Sequence, residues 1–171
     1  MAIKGKQTTG QLGVTLIVQD VAAAANFYRD VLGAEEIQRN FSFNPSHPPE
    51  NEPVSAELKL AGPQLIVAKE NPRWRNAPRP DWPRAPVSAG AASAFLTIYV
   101  DDAFARALAA GASPQVENHF PENTYWGDRI AQLHDPFGHV WRIQTRNEDV
   151  AEDELAARFA IVRERARTMR A

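Results

Sequence analysis

Residues 125–145 read YWGDRIAQLHDPFGHVWRIQT, and this stretch has the form of a β-hairpin. Residues 130–134 make a first strand, Asp135-Pro136-Phe137-Gly138 a tight turn, and residues 139–145 a second strand. Asp can bond its own backbone, Pro fixes φ, and Gly accepts a positive φ. Val140, Trp141 and Ile143 are residue types that suit a pleated surface. Alternation puts Val140, Arg142 and Gln144 on one face and Trp141 and Ile143 on the other. The first face is polar-lined and can form a pocket; the second is apolar and is expected under a helix. His134 and His139 flank the turn and are expected opposite each other, on the Trp141 face.

Working outward, the same order of elements occurs twice. Residues 13–18 (GVTLIV) read as a strand, with Val14, Leu16 and Val18 on one face. Asp20 is an N-cap for a helix over 21–32, with Ala24, Phe27 and Val31 at core spacing and Gly33 as its stop. A strand over 35–43, a loop over 44–53 and a hairpin of strands 55–60 and 64–68 follow. In the second half, residues 95–100 (FLTIYV) read as a strand, Asp102 as a cap, 103–110 as a helix and Gly111 as its stop. A strand over 113–117, a loop over 118–124 and the opening hairpin complete it. Leu16-Ile17-Val18-Gln19-Asp20 matches Ile98-Tyr99-Val100-Asp101-Asp102 at an offset of 82. Such a repeat implies two βαβββ modules, neither able to bury its sheet face alone. The expected organisation is a first module over 12–69, a connection over 70–93, a second module over 94–148 and a C-terminal amphipathic helix over 149–171.

The composition removes several function classes. The 171 residues carry a formal charge of −2 and no Cys. General nucleic-acid binding, disulfides, thiolate metal sites and Cys nucleophiles are thereby set aside. No apolar run is long enough for a membrane span, and residues 1–11 lack a leader's apolar core, so a cytoplasmic protein with no membrane partner is expected. Residues 70–93 are rich in Pro, Arg and Trp, which suits a linker or a lid. Trp74 and Trp82 among Arg73, Arg75, Arg79 and Arg84 are candidates for gripping a partner; the acidic balance and the prolines favour a linker packed on its own domain. In the last segment Leu155, Phe159, Val162, Ala166 and Met169 form one apolar stripe, and the arginines around it suit an anionic-partner site or a packing or dimer helix with a solvated basic side, of which the well-formed stripe and the acidic overall balance favour the second.

Paired βαβββ modules, the opening VTLIVQDVAAAANFYRDVLGAEE and the strand after Asp-Pro-Phe-Gly resemble the vicinal oxygen chelate superfamily of glyoxalase I, bleomycin-resistance proteins and extradiol dioxygenases. YVDDAFARALAAGA through YWGDRIAQLHDPFGHVWRIQTRNEDV is most similar to its PhnB-like branch. The resemblance implies an α+β fold of paired βαβββ modules making a curved mixed sheet, plus the C-terminal helix. It also implies a divalent metal held by one residue from each of four strands. Those positions fall on Gly13, on Ile66 or Val67, on Phe95 and on Arg142. None offers a metal ligand, and arginine has only donors and a fixed charge. The expectation is therefore a small-molecule binder without the family's metal or any other cofactor, similar in action to the sequestering bleomycin-resistance proteins and assembled as a homodimer, with the modules paired within one chain or swapped between two. Its ligand is planar or anionic, held by Thr15, Phe95, Thr97, Tyr99, Trp126, Val140, Arg142 and Gln144 through bidentate bonding and stacking. An internal carboxylate such as Glu57 is the competing partner for Arg142. The alternative is a metal-dependent lyase, isomerase or dioxygenase using non-standard ligands. His134 and His139 with Asp135 or Glu122 are candidates for such a metal site, and His119 beside Glu122 for a general base; His47 is the fourth histidine. No residue is assigned a catalytic role from the sequence.

Overall fold

The computed structural model describes residues 12–42, 51–75, 79, 81–101, 103–115 and 121–169. The chain forms two compact units, residues 1–91 and 92–171. The architecture is mixed α+β, with one mixed sheet in each unit and a C-terminal helix.

The first unit runs β1 (Gly13–Val18), α1 (Val21–Leu32), β2 (Glu35–Phe41), β3 (Pro53–Lys59) and β4 (Gln64–Lys69). Its strands lie in the order β1-β4-β3-β2, with β1 parallel to β4 and the other pairs antiparallel. The Asp20 side chain accepts a hydrogen bond from the Ala23 N–H, and Gly33 closes α1 at φ 76°. This is the start and stop that the sequence signals demand. Leu16, Val18, Leu58 and Val67 are buried together with Ala24, Tyr28 and Val31 of α1. The other sheet face carries Thr15, Ile66, Glu57 and Gln38 in register. β3 begins at Pro53 rather than Ser55, because proline is tolerated as the first residue of a strand. The expected 44–53 loop lies largely in residues 43–50, outside the described residues.

The described part of the connection is more ordered than its prolines suggest. It contains a 3-10 turn (Pro72–Arg75) and a short helix α2 (Pro86–Ala89). Pro86 suits the first helical position, where no amide is required. The buried Glu70 carboxylate accepts from the Ala85 N–H at 2.8 Å and from the Ser88 hydroxyl at 2.6 Å. Ser88 also accepts from Gln19 Nε2 at 2.8 Å, so this half of the connection is tied to the ends of β1 and β4. Arg79 stacks on Trp82 at 5.6 Å and pairs with Asp81, so it is not displayed as a bare cation. The Trp74 side chain lies outside the described part.

The second unit runs β5 (Phe95–Tyr99), α3 (Phe104–Ala109), β6 (Ser113–Pro114), β7 (Glu122–Asn123), β8 (Asp128–His134), β9 (Val140–Arg146) and α4 (Glu152–Thr168). The order is β5-β9-β8-β6, with β7 also on β8 and β5 parallel to β9. β8 starts two residues earlier than the sequence reading, because Asp128 and Arg129 pair with Arg146 and Thr145. Asp102, the expected cap of α3, and His119 lie outside the described residues, as does His47 of the first unit.

The hairpin turn closes as a three-residue loop, Pro136-Phe137-Gly138, with Gly138 at φ 88°. Asp135 N–H donates to the His139 carbonyl at 2.9 Å. Asp135 Oδ1 accepts from the N–H groups of Phe137 and His139, and Oδ2 from Trp141 Nε1 at 2.9 Å. His134 therefore pairs with Val140, not with His139. This corrects the expected facing: His134 shares the face of Arg142, and His139 is buried in the turn. Trp141 and Ile143 are buried on the opposite face, as their apolarity requires.

In α4 Leu155 and Arg158 are half-buried, while Phe159, Val162 and Met169 are exposed. Phe159 packs on the Tyr125 ring at 5.2 Å, and Arg158 pairs with Glu148 and Glu154. The stripe thus covers its own unit only near its N-terminal end. Among the described residues no helix is long and apolar enough to cross a membrane.

Candidate functional site

The strand register of the second unit fixes which side chains meet on its polar-lined face. Phe95, Val140 and His134 form one row, Thr97, Arg142 and Gln132 the next, and Tyr99, Gln144 and Ile130 the third. Adjacent strands are about 4.8 Å apart, and five residues of strand span about 13 Å from end to end. The face is therefore about the size of a small bicyclic molecule.

Six of the eight residues singled out in the sequence share this face. Phe95, Thr97 and Tyr99 lie exposed along the edge strand β5, and Val140 and Gln144 are buried on β9. Arg142 is half-buried between the two ends. Trp126 is off the strands, just before β8, with its indole N–H committed to Asp128 Oδ2 at 2.9 Å. Thr15 belongs to the first unit, where it pairs with Ile66 as Thr97 pairs with Arg142.

Arg142 has its guanidinium carbon 5.0 Å from the Phe95 ring centroid. Its Nε is shielded from solvent and makes no hydrogen bond. Among the described residues Arg142 has no ion pair, and the side chains of Thr97, Tyr99, Gln132 and His134 have no hydrogen bond. The first unit differs at its matching face. There Glu57 accepts from Gln38 Nε2 at 2.7 Å and Gln64 Nε2 at 3.3 Å, and Asn40 donates to Ser55 at 3.1 Å. Glu57 is thus occupied by two amides. A buried donor left unpaired costs roughly 1–3 kcal/mol, so the Arg142 side is where an incoming acceptor gains most.

One residue central to this region was not singled out in the sequence. Asp128 is 1% exposed and accepts from Trp126 Nε1, from Gln144 Nε2 at 3.2 Å and from Arg146 Nε. The hydrogen bond to Asp128, and next that to Asp149, raise the Arg146 pKa from its already high value, so this cation persists. Trp126 Nε1 and Gln144 Nε2 are consequently both committed to Asp128. A signal existed in the sequence: Asp128 and Arg146 become direct partners once the hairpin register is right.

The register also resolves the fourth family metal position. Ile66 stands opposite Thr15 as Arg142 stands opposite Thr97, so the match is Ile66, not Val67. Gly13, Ile66, Phe95 and Arg142 supply no oxygen, sulfur or unprotonated nitrogen from their side chains, and a divalent ion does not fit that donor set. Among the described residues no group of three or more His, Asp or Glu is arranged to hold a metal ion. A recess beside α3, lined by Phe104, Ala131, Ile143 and Thr145 among others, has a volume of about 20 Å³, room for a single water.

The strand order β1-β4-β3-β2 recurs as β5-β9-β8-β6, each with a parallel pair at one edge, which defines a mixed α+β protein of two like units. The model of the Glyoxalase/Bleomycin resistance protein/Dioxygenase superfamily matches residues 10–143, and the chain belongs to that superfamily. An uncharacterized protein of Mycobacterium bovis is 29% identical over 145 residues, covering 83% of this chain and 87% of its own. Among solved structures, TioX from Micromonospora sp. ML1 has a TM-score of 0.54 at 21% identity, covering 80% of this chain and 98% of its own. The fosfomycin resistance protein FosX from Listeria monocytogenes, complexed with Mn(II) and sulfate, has a TM-score of 0.51 at 16% identity, covering 90% of this chain and 99% of its own. At these identities the likeness to solved structures concerns the fold.

Proposed function

We propose that the protein binds a small planar or anionic molecule on the open face of its second unit, without the family's metal. The observation that carries this reading is the set of uncommitted polar side chains around Arg142, set against the self-bonded face of the first unit. The finer parts of the proposal are a cytoplasmic homodimer of the PhnB-like branch that acts by sequestering or carrying its ligand. The exposed apolar stripe of α4 supports self-association, and the second-half sequence supports the branch.

The test is thermal stability with zinc, nickel, manganese and iron(II), the last under anaerobic conditions, together with the metal content of protein purified without chelator. The expected result is no stoichiometric metal and no stabilisation. A metal at 100 times its Kd adds about 2.7 kcal/mol to stability. For a chain of this size that raises Tm by roughly 5–10 °C. Such a rise would overturn the metal-free reading in favour of a lyase, isomerase or dioxygenase with unusual ligands.

A second expectation separates ligand binding from internal pairing. Arg142→Ala removes no hydrogen bond and no ion pair present among the described residues. Its Tm should therefore change by less than about 2 °C, as for substitutions away from buried networks. A drop several times larger, seen by calorimetry, would make Arg142 a structural residue and remove the basis of the proposal.

A further inference from the structure

Resting on the reading above, we infer that the open face of the second unit selects an aromatic monocarboxylate. Three observations give the class. The first is charge. On the three rows that cross β5, β9 and β8, Arg142 is the one fixed cation without an anionic partner among the described residues. Arg146, beyond the third row, is committed to Asp128 and Asp149. A second negative charge on the ligand would find no further uncommitted fixed cation on these rows. One negative charge, placed in the Arg142 row, is what the face accommodates.

The second is shape. Phe95 covers one face of the Arg142 guanidinium, so the remaining donors are those along its edge, Nε included. In-plane donors in a fixed fork match the two coplanar oxygens of a carboxylate bidentately. Phe95 is 44% exposed on the edge strand, so its ring can yield as the acceptor reaches Nε. Thr97 and Gln132 flank the arginine in the same row and offer further donors.

The third is the body of the ligand. Phe95 and Tyr99 flank the polar row with exposed aromatic surface, and the buried Val140 and Ile130 back it. Tyr99 is 58% exposed and Phe95 44%, both on the edge strand, so a flat ring has aromatic partners at either end. Aromatic pairs prefer offset or edge-on contact with centroids about 4.5–7 Å apart, which an edge strand open on one side permits.

The test is titration of the full chain at pH 8 with 2-naphthoate, 2-naphthamide and 2-naphthyl phosphate, followed by ligand fluorescence and calorimetry. Naphthoate should bind at least ten-fold more tightly than the neutral amide and than the dianionic phosphate ester. Arg142→Gln should remove that preference by weakening naphthoate at least ten-fold while changing the amide less than two-fold. Tighter binding of the amide or the phosphate ester would overturn the monocarboxylate assignment and leave the planar-or-anionic reading intact. Failure of all three to bind the wild-type protein would overturn both.

Discussion

Asp128→Ala should lower Tm by roughly 6–12 °C, the shift that a loss of about 3 kcal/mol produces in a chain of this length. Asp128 is 1% exposed and serves three donors at once. Removing it leaves Gln144 Nε2, itself on a buried residue, with no acceptor, and an orphaned buried donor costs about 1–3 kcal/mol. Trp126 Nε1 is half-buried and recovers part of its loss from water. Arg146 is half-exposed and keeps Asp149, so it adds little. Asp128→Asn is the informative companion. It preserves shape and one acceptor oxygen but turns an NH2 group toward side chains that are themselves donors, so it should fall between wild type and alanine. Asp128→Ala combined with Gln144→Leu should recover part of the loss, because the orphaned amide is gone. Thermal unfolding of the four proteins decides the matter. A shift below about 2 °C for Asp128→Ala would show that the carboxylate does not hold this corner.

The same network shows why some of the site was legible in the sequence and some was not. Local signals carried most of the fold. Asp20 and Gly33 bound α1 because capping and a left-handed stop are decided within one turn of helix. Alternation in GVTLIV and VWRIQT sorted the sheet faces correctly, since the side-chain period of a strand is two. The error at His134 came from one residue of loop length. A four-residue turn puts His134 opposite His139, whereas Gly138 in the left-handed region closes a three-residue loop and puts it opposite Val140. Such a slip moves a side chain to the other face, and a candidate metal ligand became a neighbour of Arg142. Asp128 was missed because its one signal, the pairing with Arg146, appears only with the right register. An aspartate after glycine reads as an exposed turn residue, and its burial depends on Arg146 and Gln144, 18 and 16 residues away. Arg142 itself was readable as unusual; that it stands unpaired depends on every neighbour and needs coordinates.

Gly127→Ala should be the most damaging single-methyl change in this region, and Gly33→Ala is its internal control. Both glycines have positive φ, 94° and 76°, so both substitutions carry a backbone penalty, on the order of 1–2 kcal/mol. They differ in space. A Cβ on Gly33 meets nothing within 4 Å, whereas one on Gly127 lies 2.3 Å from the Glu148 carbonyl oxygen and 3.0 Å from Val150 Cγ2. The obstacle is backbone, which cannot rotate aside as a side chain can. Moving it also disturbs the bonds that the Gly127 carbonyl accepts from the N–H groups of Asn147 (3.0 Å) and Glu148 (3.1 Å). Each such bond is worth about 1 kcal/mol. The total for Gly127→Ala is then about 3–5 kcal/mol, in the range reserved for strained or clashing sites. The displaced segment leads directly into α4, and Glu148 is the partner of Arg158. Loss should therefore appear as faster amide exchange in α4 and at Asn147 as well as in Tm. If Gly127→Ala and Gly33→Ala lower Tm equally, the penalty is conformational at both sites and the close approach of Gly127 to Glu148 is not what fixes the start of the C-terminal segment.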